Sequence, residues 1–193
     1  MYARIAATTG ANPEPAKIVF LYKRDVLFND VSLMSNYMAK NLSTKEGNSL
    51  TDEYAISDDE KDLVDVSIRA TLPDIYEAMT KITTAVVPAF FDKKTENAGT
   101  KGTDIGGQSV TLTAGDYVEF YIMDNNAYNR NVLTMVDASL YNALKHGVMK
   151  EFYSTVLQAD FFKVCSERFL SELFKLKQRL FQLKKKSVVS NLT

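Results

Sequence analysis

Three apolar seams at helical spacing constrain this chain more than any other feature. Ile68, Leu72, Ile75, Met79, Ile82 and Val86 recur at intervals of 4, 3, 4, 3 and 4. Val136, Leu140, Leu144, Val148 and Phe152 follow at i+4, and Phe162, Cys165, Phe169, Leu173, Leu176, Leu180 and Leu183 at 3, 4, 4, 3, 4 and 3. Residues three and four apart share one helix face, so each seam is a stripe that must be buried against another helix. A fourth, shorter pattern runs from Asn29-Asp30 to Leu42, with Val31, Met34 (or Leu33), Met38 and Leu42 on one side and Asp30 as a natural N-cap. Ser57-Asp58-Asp59-Glu60 reads as a capping box, and its carboxylates suit a helix N-terminus. Pro73 interrupts the first long seam. Either that helix kinks there, or one helix ends near Ala70 and a second begins with Pro73. Pro88 closes it, near Phe90-Phe91.

Around these helices the texture changes. Residues 1–16 are small and polar and end in Pro13-Glu14-Pro15, which favours an extended arm. Lys17 to Tyr22 (KIVFLY) suits a strand or an anchoring segment. Residues 93–107 hold four of the eight glycines, which marks a flexible loop. Ser109 to Met123 then reads as two β-rich runs around the turn Ala114-Gly115-Asp116. The predicted fold class is therefore mainly α, a helical bundle with an inserted β-hairpin and an extended N-terminal arm. No solenoid repeat or dividing linker is visible, so residues 1–193 are expected to form one domain, with 1–16 as the arm and 93–124 as the loop-plus-hairpin insertion. A chain of this length hides roughly 70% of its unfolded surface and needs no disulfide or metal to stay folded.

Composition enters as a set of exclusions. There is one Cys, Cys165, and one His, His146. They cannot supply an internal disulfide or a structural zinc site without carboxylates, and every His-assisted hydrolase mechanism would have to draw on His146. No Asp or Glu lies at i±3 or i±4 of His146 to orient it as a base, so it reads as a surface or interface residue. Cys165 reads as core. Gly99, Gly102, Gly106 and Gly107 lack a following Gly-Lys-Ser/Thr and precede a β run, which is the wrong context for a phosphate loop. No catalytic, cofactor-binding or metal-ligating residue is assigned, and no cofactor is expected. The first ten residues lack a secretory apolar run and no segment approaches about 18 uninterrupted apolar residues, so neither export nor a membrane span is expected. Asn41-Leu42-Ser43 and Asn191-Leu192-Thr193 match the glycosylation triplet without secretory context.

The net charge of −1 conceals two opposed blocks. Seven carboxylates against Lys61 give −6 over residues 52–65, including Asp58, Asp59, Glu60 and Asp62. The run lacks the alternating ligands and central glycine of a calcium loop, and a solvated helix start or an acidic docking face explains it better. Near the other end, Lys175, Lys177, Arg179, Lys184, Lys185 and Lys186 against Glu172 give +5 over residues 171–186. Such charges complement a helix C-terminus and offer a solvated or subunit-facing surface. Nucleic acid ranks behind that reading, since it would want exposed aromatics among the lysines, and Phe174 and Phe181 can sit beside the leucine seam as core. Tyr117, Phe120 and Tyr121 on the expected hairpin are of the type enriched at interfaces, with packing back onto the bundle as the alternative.

The segments YAISDDEKDLVDVSIRATLPDIYEAM, the FFD-loop-hairpin ending YVEFYIMDNN, and the closing helices through LFKLKQRLFQLKKK span about two thirds of the chain. In layout they resemble small virion proteins of tailed bacteriophages and prophages of gut Bacteroidales, including the crAss-like phages. The chain differs from that pattern in having no Trp in its final helices. The resemblance implies a structural, non-catalytic ring subunit of the neck (the head-to-tail connector) or tail hub. It further implies assembly in the host cytoplasm and residence in the virion. Its partners would be further copies of itself and neighbouring portal, connector or tail proteins. The acidic and basic blocks would then serve as complementary sides of a heterologous contact. A cytoplasmic helical binding module that uses the Lys-rich last helix is the competing expectation.

Overall fold

The computed structural model describes residues 2–5, 16–40, 54–83, 85–86, 101–103, 109–111, 117–124 and 128–184. Strands β1 (Tyr2–Ile5) and β2 (Lys17–Lys23) open the chain, and β2 runs directly into helix α1 (Arg24–Lys40). A 3-10 turn (Asp58–Glu60) leads into α2 (Lys61–Thr80). Strands β3 (Ala85–Val86), β4 (Lys101–Thr103), β5 (Ser109–Thr111) and β6 (Tyr117–Met123) follow. A second 3-10 turn (Arg130–Val132) enters α3 (Leu133–Thr155), and α4 (Ala159–Lys184) closes the described chain. The fold is thus mainly α: a bundle of four helices among the described residues, with a sheet packed against it through a shared core.

The seams do what their spacing requires. Ile68, Leu72, Ile75, Met79 and Ile82 are buried, as are all five residues of the α3 seam and Cys165, Phe169, Leu173, Leu176, Leu180 and Leu183 of α4. Helix α3 is the centre of the bundle and packs against the other three helices, most extensively against α4. Its sequence suits that place, because Ser139, Ala143 and Gly147 put small side chains at i+4 on a buried face. At Gly147 the three long helices come close together. A Cβ there would lie 2.2 Å from Thr71 Cγ2 of α2 and 2.9 Å from the Phe169 ring of α4. The α3–α4 connection is short because the α3 C-terminus turns sharply. Leu157 takes a positive φ of 58°, while Gln158 N–H donates to the Tyr153 carbonyl at 2.9 Å and Leu157 N–H to the Ser154 carbonyl at 3.4 Å. These are the two bonds of a Schellman cap, built here on a residue that lacks glycine's freedom.

The sheet has the order β3-β6-β2-β1-β4-β5 and every pairing is antiparallel. Its centre is the seven-residue ladder of β2 on β6, from Lys17 opposite Met123 to Lys23 opposite Tyr117. Alternation places Ile18, Phe20, Tyr22, Val118, Phe120 and Ile122 in the main core, whereas Val19, Leu21 and Tyr121 form a second cluster with Tyr117 and Met123. The Tyr22 hydroxyl donates to Asp137 Oδ1 at 2.8 Å and locks β2 to α3. Next to it, the Tyr141 hydroxyl donates to Asp30 Oδ2 at 2.7 Å and ties α3 to α1.

Several sequence expectations need correction. An inserted hairpin exists, but its strands are Lys101–Thr103 and Ser109–Thr111; the run Tyr117–Met123 leaves it to become a central strand. The reason is that β6 finds a longer apolar partner in β2, about a hundred residues upstream, than in the three-residue β5. The N-terminal arm is extended over Tyr2–Ile5, where it pairs with the chain's own β2. Asp30 is no N-cap, because α1 starts six residues earlier and buries Leu27 and Phe28 in its first turns. Pro73 lies inside one continuous helix on its exposed side, and that helix ends before Val86, which belongs to β3. On α4 the seam begins with buried Phe161, while Phe162 faces outward. The expectations for residues 6–15, Leu42 to Glu53, Pro88 to Thr100, the turn Ala114-Gly115-Asp116, Asn125-Asn126, Lys185, Lys186 and the C-terminal triplet lie outside the described residues.

Candidate functional site

The acidic block is mostly absorbed by local structure. Glu60 and Ser57 form the capping box, with Ser57 N–H donating to Glu60 Oε2 at 2.7 Å. Asp58 pairs with Lys61 at 3.1 Å, and Asp65 with Arg24 of α1 at 2.7 Å. Burial raises the Asp65 carboxyl above its ordinary value although Arg24 pulls the other way. Asp58, Asp59 and Asp62 are exposed. Together they make the N-terminal rim of α2 negative.

The basic block is divided in a similar way. Lys175 pairs with Glu172 at 2.6 Å. Arg179 is not available to a neighbour, because its guanidinium donates to the Met135 carbonyl at 2.7 Å and to Ser139 Oγ, binding α4 to the start of α3. Lys177 is half-buried and its charge reaches Glu77 near the end of α2. Lys184 is exposed on the last residue of α4. Asp58 and Glu77 are separated by about 28 Å of helical rise, so Asp58 and Lys177, which borders the same cleft as Glu77, sit toward opposite ends of α2 within one copy.

The hairpin tyrosines change meaning. Phe120 is 1% exposed and packs in the main core 6.3 Å, ring to ring, from Tyr22, so it cannot be an interface residue of the folded chain. Tyr121 is buried in the second cluster, with the Lys17 ammonium 5.1 Å from its ring, and Tyr117 is only partly buried there. Central placement of β6 thus turns an expected projection into packing.

His146 and Cys165, the residues a His- or thiol-based mechanism would draw on, are half-buried and buried respectively. Burial, then the charges of Arg168 and Lys145, lower the His146 pKa to about 4, so the ring is neutral near pH 7. Its Nδ1 is buried without a protein hydrogen-bond partner. Cys165 is fully buried and its thiol is pushed up to about 11, mainly by desolvation. Such a thiol has almost no thiolate at neutral pH. Among the described residues no group of three or more His, Cys, Asp or Glu side chains could hold a metal ion, and no helix is long and apolar enough to cross a membrane.

What the structure adds is a pair of exposed apolar stripes. On α1, Val26, Leu33 and Tyr37 lie within about 40° of one another around the axis, opposite the face that buries Leu27, Val31 and Ser35. On α4, Leu170, Phe174 and Phe181 do the same, away from the leucine seam. All six are between 49% and 64% exposed. The α1 stripe borders a cleft of about 570 Å³ lined by Phe28, Ser32, Leu33, Ile56 and Asp58. Phe162 and Leu170 border a smaller one of about 310 Å³, between α2 and α4, with Lys150 and Lys177 at its edge. The stripes have a sequence signal, a second apolar period on each helix, but on α4 Phe174 and Phe181 lie next to the leucine seam, where spacing alone does not separate them from the core.

Comparison with protein-family models, with curated proteins and with solved structures finds no match.

Proposed function

We propose that the protein is a structural subunit of a tailed-phage virion that forms an oligomeric ring in the neck, as a head-to-tail connector, or in the tail hub. It acts by holding neighbouring copies and adjacent portal, connector or tail proteins. The observation that carries this reading is the pair of half-exposed apolar stripes on α1 and α4, helices that both pack on α3. Exposed aromatics and leucines aligned on a helix face cost solubility unless another surface covers them. Two such faces on one subunit suit a head-to-tail contact, which closes into a ring when the rotation permits. The resemblance in layout to phage neck proteins supplies the biological setting. Light scattering and negative-stain microscopy of the pure protein test it: closed oligomers of uniform size are expected, with association weakening as salt rises. A strict monomer at high concentration and low salt refutes it.

A second reading has its own observation. Phe174 and Phe181 stand exposed among Lys175, Lys177 and Lys184, the interleaving that single-stranded nucleic acid uses for stacking and phosphate contact. A binding module that docks nucleic acid or a protein on α4 would use the same face. It leaves the stripe on α1 without a role, and for that reason stands second. A gel shift that weakens steeply with salt would favour it.

A further inference from the structure

We infer that the exposed stripe of α4 in one copy docks antiparallel on the exposed stripe of α1 in the next, in one definite register. This deepens the assembly reading above and rests on it. The stripe on α1 is spaced 7 then 4 (Val26, Leu33, Tyr37), and that on α4 is spaced 4 then 7 (Leu170, Phe174, Phe181). Read in opposite directions the two spacings coincide, over about 16 Å of helix. One register therefore seats all three pairs: Leu170 on Tyr37, Phe174 on Leu33 and Phe181 on Val26.

The same register sorts the flanking charges. Glu167 falls opposite Lys40, and Lys177 opposite Asp30. Glu167 and Lys40 are both exposed. Asp30 and Lys177 are half-buried, and Asp30 already accepts a hydrogen bond from Tyr141, so the outer pair contributes more to the choice of register. Lys184 would meet Lys23, but Lys23 ends β2 and the helical match stops at Val26. Phe174, set over Leu33, stands at the mouth of the α1 cleft, whose rim carries Asp58. An aromatic knob with lysines around it thus faces an apolar hollow with a carboxylate on its edge, which is complementary in shape class and in sign. The occupant is a second copy of this chain because each stripe finds its matching spacing and opposite charge on the other. Such a contact is heterologous, and each copy has one stripe of each kind.

Single-face variants test it. Leu33→Glu with Tyr37→Glu disables the α1 stripe, and Phe174→Glu with Phe181→Glu disables the α4 stripe; all four side chains are exposed, so far-UV circular dichroism should match wild type. By light scattering, each variant alone is expected to be monomeric under conditions where wild type assembles. Their equimolar mixture should form a 1:1 complex and nothing larger, since one intact stripe of each kind remains. If either variant still assembles alone, as α4-to-α4 pairing would allow, or if the mixture stays monomeric, the docking is wrong even though the ring reading survives. A monomeric wild type instead overturns both. Register is read separately: Lys40→Glu and Glu167→Lys should each weaken association about fivefold, and the double exchange should restore it. Failure of that restoration with both stripes still required overturns the register.

Discussion

Replacing Gly147 with alanine sets two effects of opposite sign against each other, and the structure decides between them. In an isolated helix the change stabilises by about 1 kcal/mol, since alanine is the better helix former. Here the new methyl would stand 2.2 Å from Thr71 Cγ2 and 2.9 and 3.1 Å from two atoms of the Phe169 ring. Ordinary carbon contacts lie near 3.5–4.0 Å, so α2 and α3 would have to part by about 1.3 Å or Thr71 rotate away. Rotation forfeits the hydrogen bond from Thr71 Oγ1 to the Ser67 carbonyl at 2.9 Å, in a buried site. Overpacking of a filled core costs about 1–3 kcal/mol, and the lost hydrogen bond about 1 more. Set against the propensity gain, a net destabilisation of about 1–3 kcal/mol is expected, or about 3–9 °C in Tm for a chain of this size. Urea unfolding followed at 222 nm measures it. Thr71→Ser removes the clashing methyl and keeps the hydroxyl, so the double variant should recover at least about 1 kcal/mol relative to additivity. A Gly147→Ala protein as stable as wild type, or more stable, would show that the three helices do not meet this closely and would refute the reasoning.

Three further expectations are open to direct measurement. Leu157→Gly should stabilise by about 0.5–1 kcal/mol, because it relieves a positive φ at the α3 cap, and a loss of stability in thermal unfolding would argue against that cap geometry. His146 has a folded pKa lowered from 6.5 to about 4, so the folded state binds fewer protons than the unfolded state between those values. Its contribution is whole above about pH 6.5 and falls as the pH drops toward 4, by roughly 1–2 kcal/mol after allowing for solvent screening. His146→Gln should flatten that part of the stability–pH profile, and an unchanged slope would refute the assignment. Arg179→Gln should cost about 1–2 kcal/mol through the lost bonds to Met135 and Ser139 while leaving the salt dependence of self-association unaltered; a reduced salt dependence would return Arg179 to the interface.

Of the candidate surface, the sequence revealed the charges but not their occupancy. The acidic and basic blocks are plain to count, yet which members are used inside the chain depends on neighbours far along it. Arg179 meets Met135 because α4 packs on α3, Asp65 meets Arg24 because α2 reaches α1, and Lys177 borders the same cleft as Glu77 because α2 lies beside α4. Phe174 and Phe181 show the limit of periodicity. Both lie one step from a buried leucine seam, and a helical repeat tells where a buried face is centred without telling how widely a neighbouring helix covers it.

By itself the sequence determined the apolar seam on which the buried face of each long helix is centred, because a side chain's angular position around a helix follows from local spacing alone. It also determined the start of α2, through a capping box whose members are three residues apart. Only the tertiary structure decided that Tyr117–Met123 is a central strand, that Phe120 is core, and that α1 and α4 each keep a half-exposed apolar stripe. Those outcomes rest on which distant segments pair, as β2 does with β6, and on how closely helices approach, as they do at Gly147. Such contacts are settled by competition among all the surfaces the chain can bring together, and no local period records the winner.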